Sequence, residues 1–109
     1  MSAIKEYHAH VYYDPAEHAQ AARLCEAAGE TFGIKVGRMH DGPVGPHPRG
    51  SCQLTVPIGK FAEVIPWLIE NRKGLTVFTH AQTGNAIKDH TDHVVWLGPS
   101  ETLDLSALS

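Results

Sequence analysis

The stretch Tyr7-His8-Ala9-His10-Val11-Tyr12-Tyr13 places two imidazoles two residues apart in an alternating run. As a strand it sends His8 and His10 to one face and Tyr7, Ala9 and Val11 to the other. Imidazole is the commonest transition-metal ligand and the side chain that titrates near neutral pH without perturbation. Two on one strand face therefore suit a metal site or an acid/base site. The plainer alternative is a pair of hydrogen-bonded histidines that do no chemistry. Gly45-Pro46-His47-Pro48-Arg49-Gly50 holds another imidazole between prolines that restrict the backbone. Its Arg49 is suited to bidentate contact with a substrate carboxylate. Asp89-His90-Thr91-Asp92-His93 sets two more imidazoles among carboxylates able to orient them, a polar surface loop being its alternative. His40 is less specific, and His18 reads as a solvent-facing helix residue.

These residues need elements to hold them. Residues 4 to 13 read as a first strand, and Asp14-Pro15 starts a helix, with Asp as N-cap and Pro at the first helical position. That helix is expected over Ala16 to Phe32, with Gly33 ending it. Ile34 to His40 alternates as a second strand. Asp41 to Gly50, with three Gly and three Pro, reads as a rigid, irregular loop. Ser51 to Val56 is a third strand, with Cys52, Leu54 and Val56 on one face and Ser51, Gln53 and Thr55 on the other. Lys60 to Arg72 places Phe61, Val64, Ile65, Leu68 and Ile69 at helical spacing. Pro66 is an objection within it, costing about 3 kcal/mol mid-helix. Leu75 to His80 reads as a fourth strand, followed by a polar loop from Ala81 to Asp92, a short fifth strand over His93 to Gly98, and an irregular tail from Pro99.

The order β-α-β-β-α-β plus a short strand implies an α+β, ferredoxin-like sandwich: an antiparallel sheet with both helices on one face. The opposite face then collects His8, His10, Ser51, Gln53, Thr55, Thr76, Phe78 and His80, and antiparallel pairing of strands one and four brings His80 toward His8. Three imidazoles on one face suggest a metal site with open positions, as non-heme Fe(II) chemistry requires, whereas a closed set of four ligands would suggest structural zinc. The residues alone do not choose the metal. A sheet face of this kind needs a cover, and we expect a homodimer packed partly through it.

A chain of 109 residues is expected to form a single domain over residues 1–109. Its apolar fraction of 42% and charged fraction of 19% fit a folded globular protein. A formal charge of -3 without a Lys/Arg cluster offers nothing to nucleic acid or to an anionic membrane. The start, Met1 to Glu6, lacks the apolar core of a signal peptide, and no run reaches the roughly 20 apolar residues of a membrane span. We therefore expect a cytoplasmic protein that meets small molecules. Cys25 and Cys52 have no metal-knuckle spacing and read as buried thiols. There is no nucleophile elbow, zinc-protease helix or phosphate loop. Trp67 and Trp96 read as core or interface residues.

Four blocks in order carry a resemblance: Tyr7 to Asp14; Val44-Gly45-Pro46-His47-Pro48; Asn71-Arg72 with Leu75-Thr76-Val77 and His80; and Asp89 to His93 with Trp96-Leu97-Gly98. The chain resembles the DOPA 4,5-dioxygenase family nearly end to end. Tyr13, often Phe in that family, and Ala81, often Pro, depart from its pattern without touching the histidines. The resemblance implies an extradiol ring-cleaving dioxygenase that takes a catechol such as L-DOPA and O2 to a seco-DOPA-type semialdehyde. It implies Fe(II) as cofactor, with zinc a substitute in purified protein. On this reading His8, His10 and His80 hold the metal, and His47, His90 and His93 act as acids, bases or further ligands. Arg49, Gln53 and Phe78 bind substrate. A carboxylate ligand stays open between Glu6, which shares the parity of His8, and Asp92. The contrasting expectation is a non-enzymatic dimeric module that binds a metal or small aromatic ligand. A weaker one is a metal-independent isomerase or monooxygenase of the dimeric-barrel type.

Overall fold

The computed structural model describes residues 3–108; Met1 and Ser2 of the expected leaderless start, and Ser109 of the expected tail, lie outside them. Alternation makes β1 over Glu6–Tyr13, and Asp14 then turns the chain. The Asp14 amide donates to Glu17 Oε1 at 2.9 Å, and the Glu17 amide donates back to the Asp14 carbonyl at 2.8 Å. This reciprocal cap closes a single 3-10 turn, Pro15–Glu17, ahead of α1, His18–Phe32. The expected helix start at Ala16 is thus delayed by one tight turn. Helix α1 buries Ala21, Leu24, Cys25 and Ala28 against the sheet. It ends at Gly33, whose φ of 64° is the left-handed conformation that terminates helices.

Strand β2 is Lys35–Val36, much shorter than the expected Ile34 to His40. Gly37 still donates its amide to Gln53, but the ladder then lapses until the isolated His40–Ser51 bridge. Strand β3 is Gly50–Pro57, and α2 is Ile58–Asn71 with Pro66 inside it. Pro66 sits on the exposed side, while Val64 and Leu68 are fully buried and Phe61, Ile65 and Trp67 pack against the core. That apolar burial offsets the lost backbone bond. Strand β4, Val77–Ala81, leads to a short helix α3, Ala86–Thr91, where a polar loop was expected. Asn85 caps it by accepting the Lys88 amide at 3.2 Å. Strand β5, Val94–Leu97, completes the sheet, and the tail closes with a 3-10 turn, Leu105–Leu108.

The sheet order is β2-β3-β1-β4-β5, and every neighbouring pair is antiparallel. Ala9, Val11, Cys52, Leu54, Val56 and Val77 form the core with α1 and α2 on one face. Both cysteines are buried free thiols, as expected. Among the described residues no helix is long and apolar enough to cross a membrane. The opposite face carries the histidines, and the chain's own 41–49 loop and α3 bring further imidazoles onto it.

Candidate functional site

The central strand supplies the first half of the site. In the β1–β4 register His8 lies directly opposite His80, and His10 opposite Phe78. The antiparallel pairing inferred from the sequence therefore brings three imidazoles together, each offering a ligand atom within 4.8 Å of the others. His10 Nε2 and His80 Nε2 are 3.0 Å apart, and their rings are near parallel with centroids 5.0 Å apart. His8 is less buried, and its Nε2 lies 3.1 Å from Glu6 Oε2. Of the two carboxylates left open by the sequence, Glu6 thus touches the set, whereas Asp92 is an exposed residue at the end of α3.

The 41–49 loop supplies His47. It is pinned at several points: His47 donates its amide to the Val44 carbonyl at 3.1 Å, and Asp104 donates its amide to Pro46 at 2.9 Å. The Tyr13 hydroxyl donates to Asp41 at 2.8 Å, and Asp41 also holds His18, so that residue is engaged rather than simply solvated. Gly50 permits the loop to close on β1, because a Cβ there would stand 2.8 Å from the Tyr13 carbonyl. The result is a buried His47 whose ring lies against His10, centroids 4.0 Å apart and planes inclined by 40°, with Nδ1 at 2.8 Å from the Tyr12 hydroxyl.

The segment after β4 supplies His90. Asp89, almost wholly buried, accepts from the Thr83 amide and hydroxyl, both at 2.7 Å, and from His93 Nδ1 at 3.1 Å. These bonds fasten α3 to the end of β4. Burial alone would raise the Asp89 pKa, but the Thr83 and His93 bonds outweigh it and hold the carboxyl below its usual range. The ring of His90, one residue on, lies against His80, centroids 3.9 Å apart and planes inclined by 32°. Its Nδ1 donates to the Ala86 carbonyl at 2.7 Å. The structure thus gathers His8, His10, His47, His80 and His90 on one face. His93 is spent on Asp89 and makes no ring contact with this group.

The protonation states suit ligands. A carbonyl only accepts, so the 2.8 Å bond to the Ala81 carbonyl fixes the proton of neutral His80 on Nδ1 and leaves a lone pair on Nε2. Burial, and then the repulsion of neighbouring imidazoles, pushes His80 down to about 4 despite that bond. Burial followed by His90 and His40 pushes His47 to about 4 as well. His10 is held well below its ordinary value, by burial first and then by His47, His80, His8 and His90. All three are neutral at physiological pH. Two imidazole nitrogens bound to one ion at about 2.1 Å stand about 3 Å apart when they meet at a right angle, so the His10–His80 separation fits a shared metal.

A cleft of about 410 Å³ opens beside these residues, with His10, His47, Ser51 and Gln53 in its wall and Lys35, Arg38 and His40 at its rim. This lies within the range of small-molecule sites. Phe78 is fully buried beneath the histidines, 4.4 Å from Trp96 and 5.6 Å from His80. Arg49 does not line the cleft. Its guanidinium donates to both oxygens of Glu101, at 3.0 and 2.7 Å, and to Asp14 at 3.1 Å, and lies 5.9 Å from the Tyr12 ring centroid. Sequence reasoning passed over Tyr12, although parity with His8 and His10 placed it on this face. It passed over Glu101 as well, which sits in a tail without periodicity.

Known proteins resemble this chain across the whole of the site. A crystal structure from Nostoc punctiforme, of a protein provisionally assigned as a dioxygenase, superposes with a TM-score of 0.93 at 42% identity, covering 96% of this chain and 91% of that one. The DOPA 4,5-dioxygenase of Amanita muscaria is 36% identical over 98% of this chain and 51% of its own length. An uncharacterized 21.2 kDa protein of Botryotinia fuckeliana is 32% identical over 89% of this chain and 60% of its own. The chain thus spans about half the length of the curated relatives it matches. Residues 7–107 match the sequence profile of the Dopa 4,5-dioxygenase family. With its sheet, its joined histidines and this match over nearly its whole length, the chain belongs to the Dopa 4,5-dioxygenase family.

Proposed function

We propose that this chain is a non-heme iron extradiol dioxygenase that adds both atoms of O2 to a catechol such as L-DOPA, opening the ring to a seco-DOPA-type semialdehyde. The observation that carries this reading is the meeting of His8 with neutral His10 and His80 beside a cleft of small-molecule size. The name of the Amanita relative supports the reaction class. His8, His10 and His80 hold Fe(II), and Glu6, bonded to His8, is the carboxylate that joins the set. Bound iron supplies the electron relay between catechol and dioxygen.

The chain's own groups do the rest. His47 is neutral at working pH, so it can accept a catechol proton and later return it. The Tyr12 hydroxyl fixes the His47 ring, and Arg49, anchored by Glu101, lies over the Tyr12 ring and steadies it. His90 keeps Nε2 available beside His80 because Nδ1 is committed to Ala86, and serves as a second acid/base group. His93, through Asp89, orients the helix that carries His90. Gln53 in the cleft wall positions the ring, and Phe78, fully buried beneath the histidines, packs under His10 and His80 and so acts on substrate only through them.

The same reading takes residues 1–109 as one domain and the sheet order as ferredoxin-like, extended by β5 at the edge. It places the protein in the cytoplasm as a homodimer. Since the 41–49 loop and α3 already bury His10 and His80, the dimer contact falls on the half-buried margin at His8, Thr55 and Val94. The test is anaerobic loading with Fe(II), followed by a catechol panel including L-DOPA under oxygen. Stoichiometric oxygen uptake with a yellow product is expected. Failure with every catechol would overturn the reading in favour of a binding module without turnover.

A further inference from the structure

Exposed Lys35 and Arg38 make the lining of the cleft cationic, and no described residue pairs with either. Lys35 stands opposite Thr55 in the β2–β3 register, which puts it on the same side of the sheet as the histidines. Arg38 follows where β2 has left the ladder, and both line the cleft that His10 and His47 wall. Neither makes an ion pair or hydrogen bond with a described residue, in contrast to Arg49, which three carboxylates surround. Among the described residues, no Asp or Glu lines the cleft. A ligand that fills it therefore meets two exposed, unpaired cations and no carboxylate to pair with an ammonium.

We propose that Arg38 and Lys35 read the side chain of the substrate, so that this site selects catechols with an anionic tail and no amine over zwitterionic amino acids. This deepens the catechol reading and rests on it. The acid group sits between the Arg38 fork and the Lys35 ammonium, while the diol end faces His10 and His47. An amino acid such as L-DOPA brings a positive charge into the same cationic field, with no carboxylate nearby to receive it.

The test is calorimetric binding of 3-(3,4-dihydroxyphenyl)propanoate, its methyl ester and L-DOPA to the purified protein, repeated on R38Q, K35Q and R23Q, with oxygen uptake on the iron-loaded forms. The acid should bind about tenfold more tightly than the ester or L-DOPA, and that preference should shrink several-fold in R38Q and K35Q. R23Q, which removes an exposed cation from α1, should keep the wild-type ratio. Equal binding of acid and ester, no binding of either, or an unchanged ratio in R38Q and K35Q would each overturn the proposal. If both compounds are cleaved alike, the dioxygenase reading stands and this one falls. If the acid binds through Arg38 and no catechol is ever cleaved, the anion rim stands and the dioxygenase reading falls.

Discussion

Ala9 and Val11 on one side of β1, and His10 and Tyr12 on the other, are all nearly excluded from water, yet their burial has opposite energetics. On the helix side apolar surface meets apolar surface, which stabilises the fold by about 25 cal/mol per Å². On the histidine side each buried nitrogen and hydroxyl needs a partner, and burial first, then the neighbouring imidazoles, holds the pKa values of His10, His47 and His80 down. Stability alone would favour apolar residues at both sets of positions. The difference marks the helix side as the part that makes the fold, and the histidine side as a polar site which the fold carries.

The largest expected effect comes from breaking the histidine side. His10→Ala and His80→Ala should each abolish stoichiometric iron binding and lower oxygen uptake by more than about a hundredfold, while the circular dichroism spectrum stays native. Iron content equal to wild type would move that residue to an acid/base or substrate role. Leu54→Ala on the helix side should do the reverse. It should cost about 2–5 kcal/mol in urea unfolding and leave one iron per folded chain.

Acid offers a third way to separate the sides. An unfolded histidine titrates near 6.5, whereas His47 and His80 sit at about 4 in the fold. Between those values the unfolded chain binds more protons, so their contribution is complete above about pH 6.5 and is lost as pH falls toward 4. Melting temperatures of the metal-stripped protein should drop over that window, and His47→Gln should flatten the drop. A melting temperature that does not change across it would contradict the assignment. The smallest effect should come from Thr79→Val. The Thr79 hydroxyl is buried among apolar residues with no hydrogen-bond partner, so its removal should raise stability by about 1 kcal/mol without altering iron binding.

How much of this was legible in the sequence follows from the range of the interactions. Strand parity is local, so β1 and β4 revealed His8, His10 and His80, and their antiparallel pairing followed from the element order. The core positions at Cys52, Leu54 and Val56 were equally plain. Helix α3 was not, because six residues offer too little periodicity and its cap begins in a polar turn at Asn85. Strand β2 was overextended because alternation continues through Gly37 and Arg38, while the backbone pairing that defines a strand lapses there. The surroundings of Arg49 depend on Glu101, 52 positions away, and the Tyr12–His47 contact depends on how the proline-rich loop folds back. Neither leaves a pattern in nearby residues.

Whether the histidine face holds iron is tested most directly by anomalous diffraction at the iron edge from anaerobically loaded crystals. One strong peak between His10 Nε2 and His80 Nε2, in contact with His8, is the expected result. A peak elsewhere, at His93 and Asp89 for instance, or no peak in protein that still cleaves catechols, would contradict it.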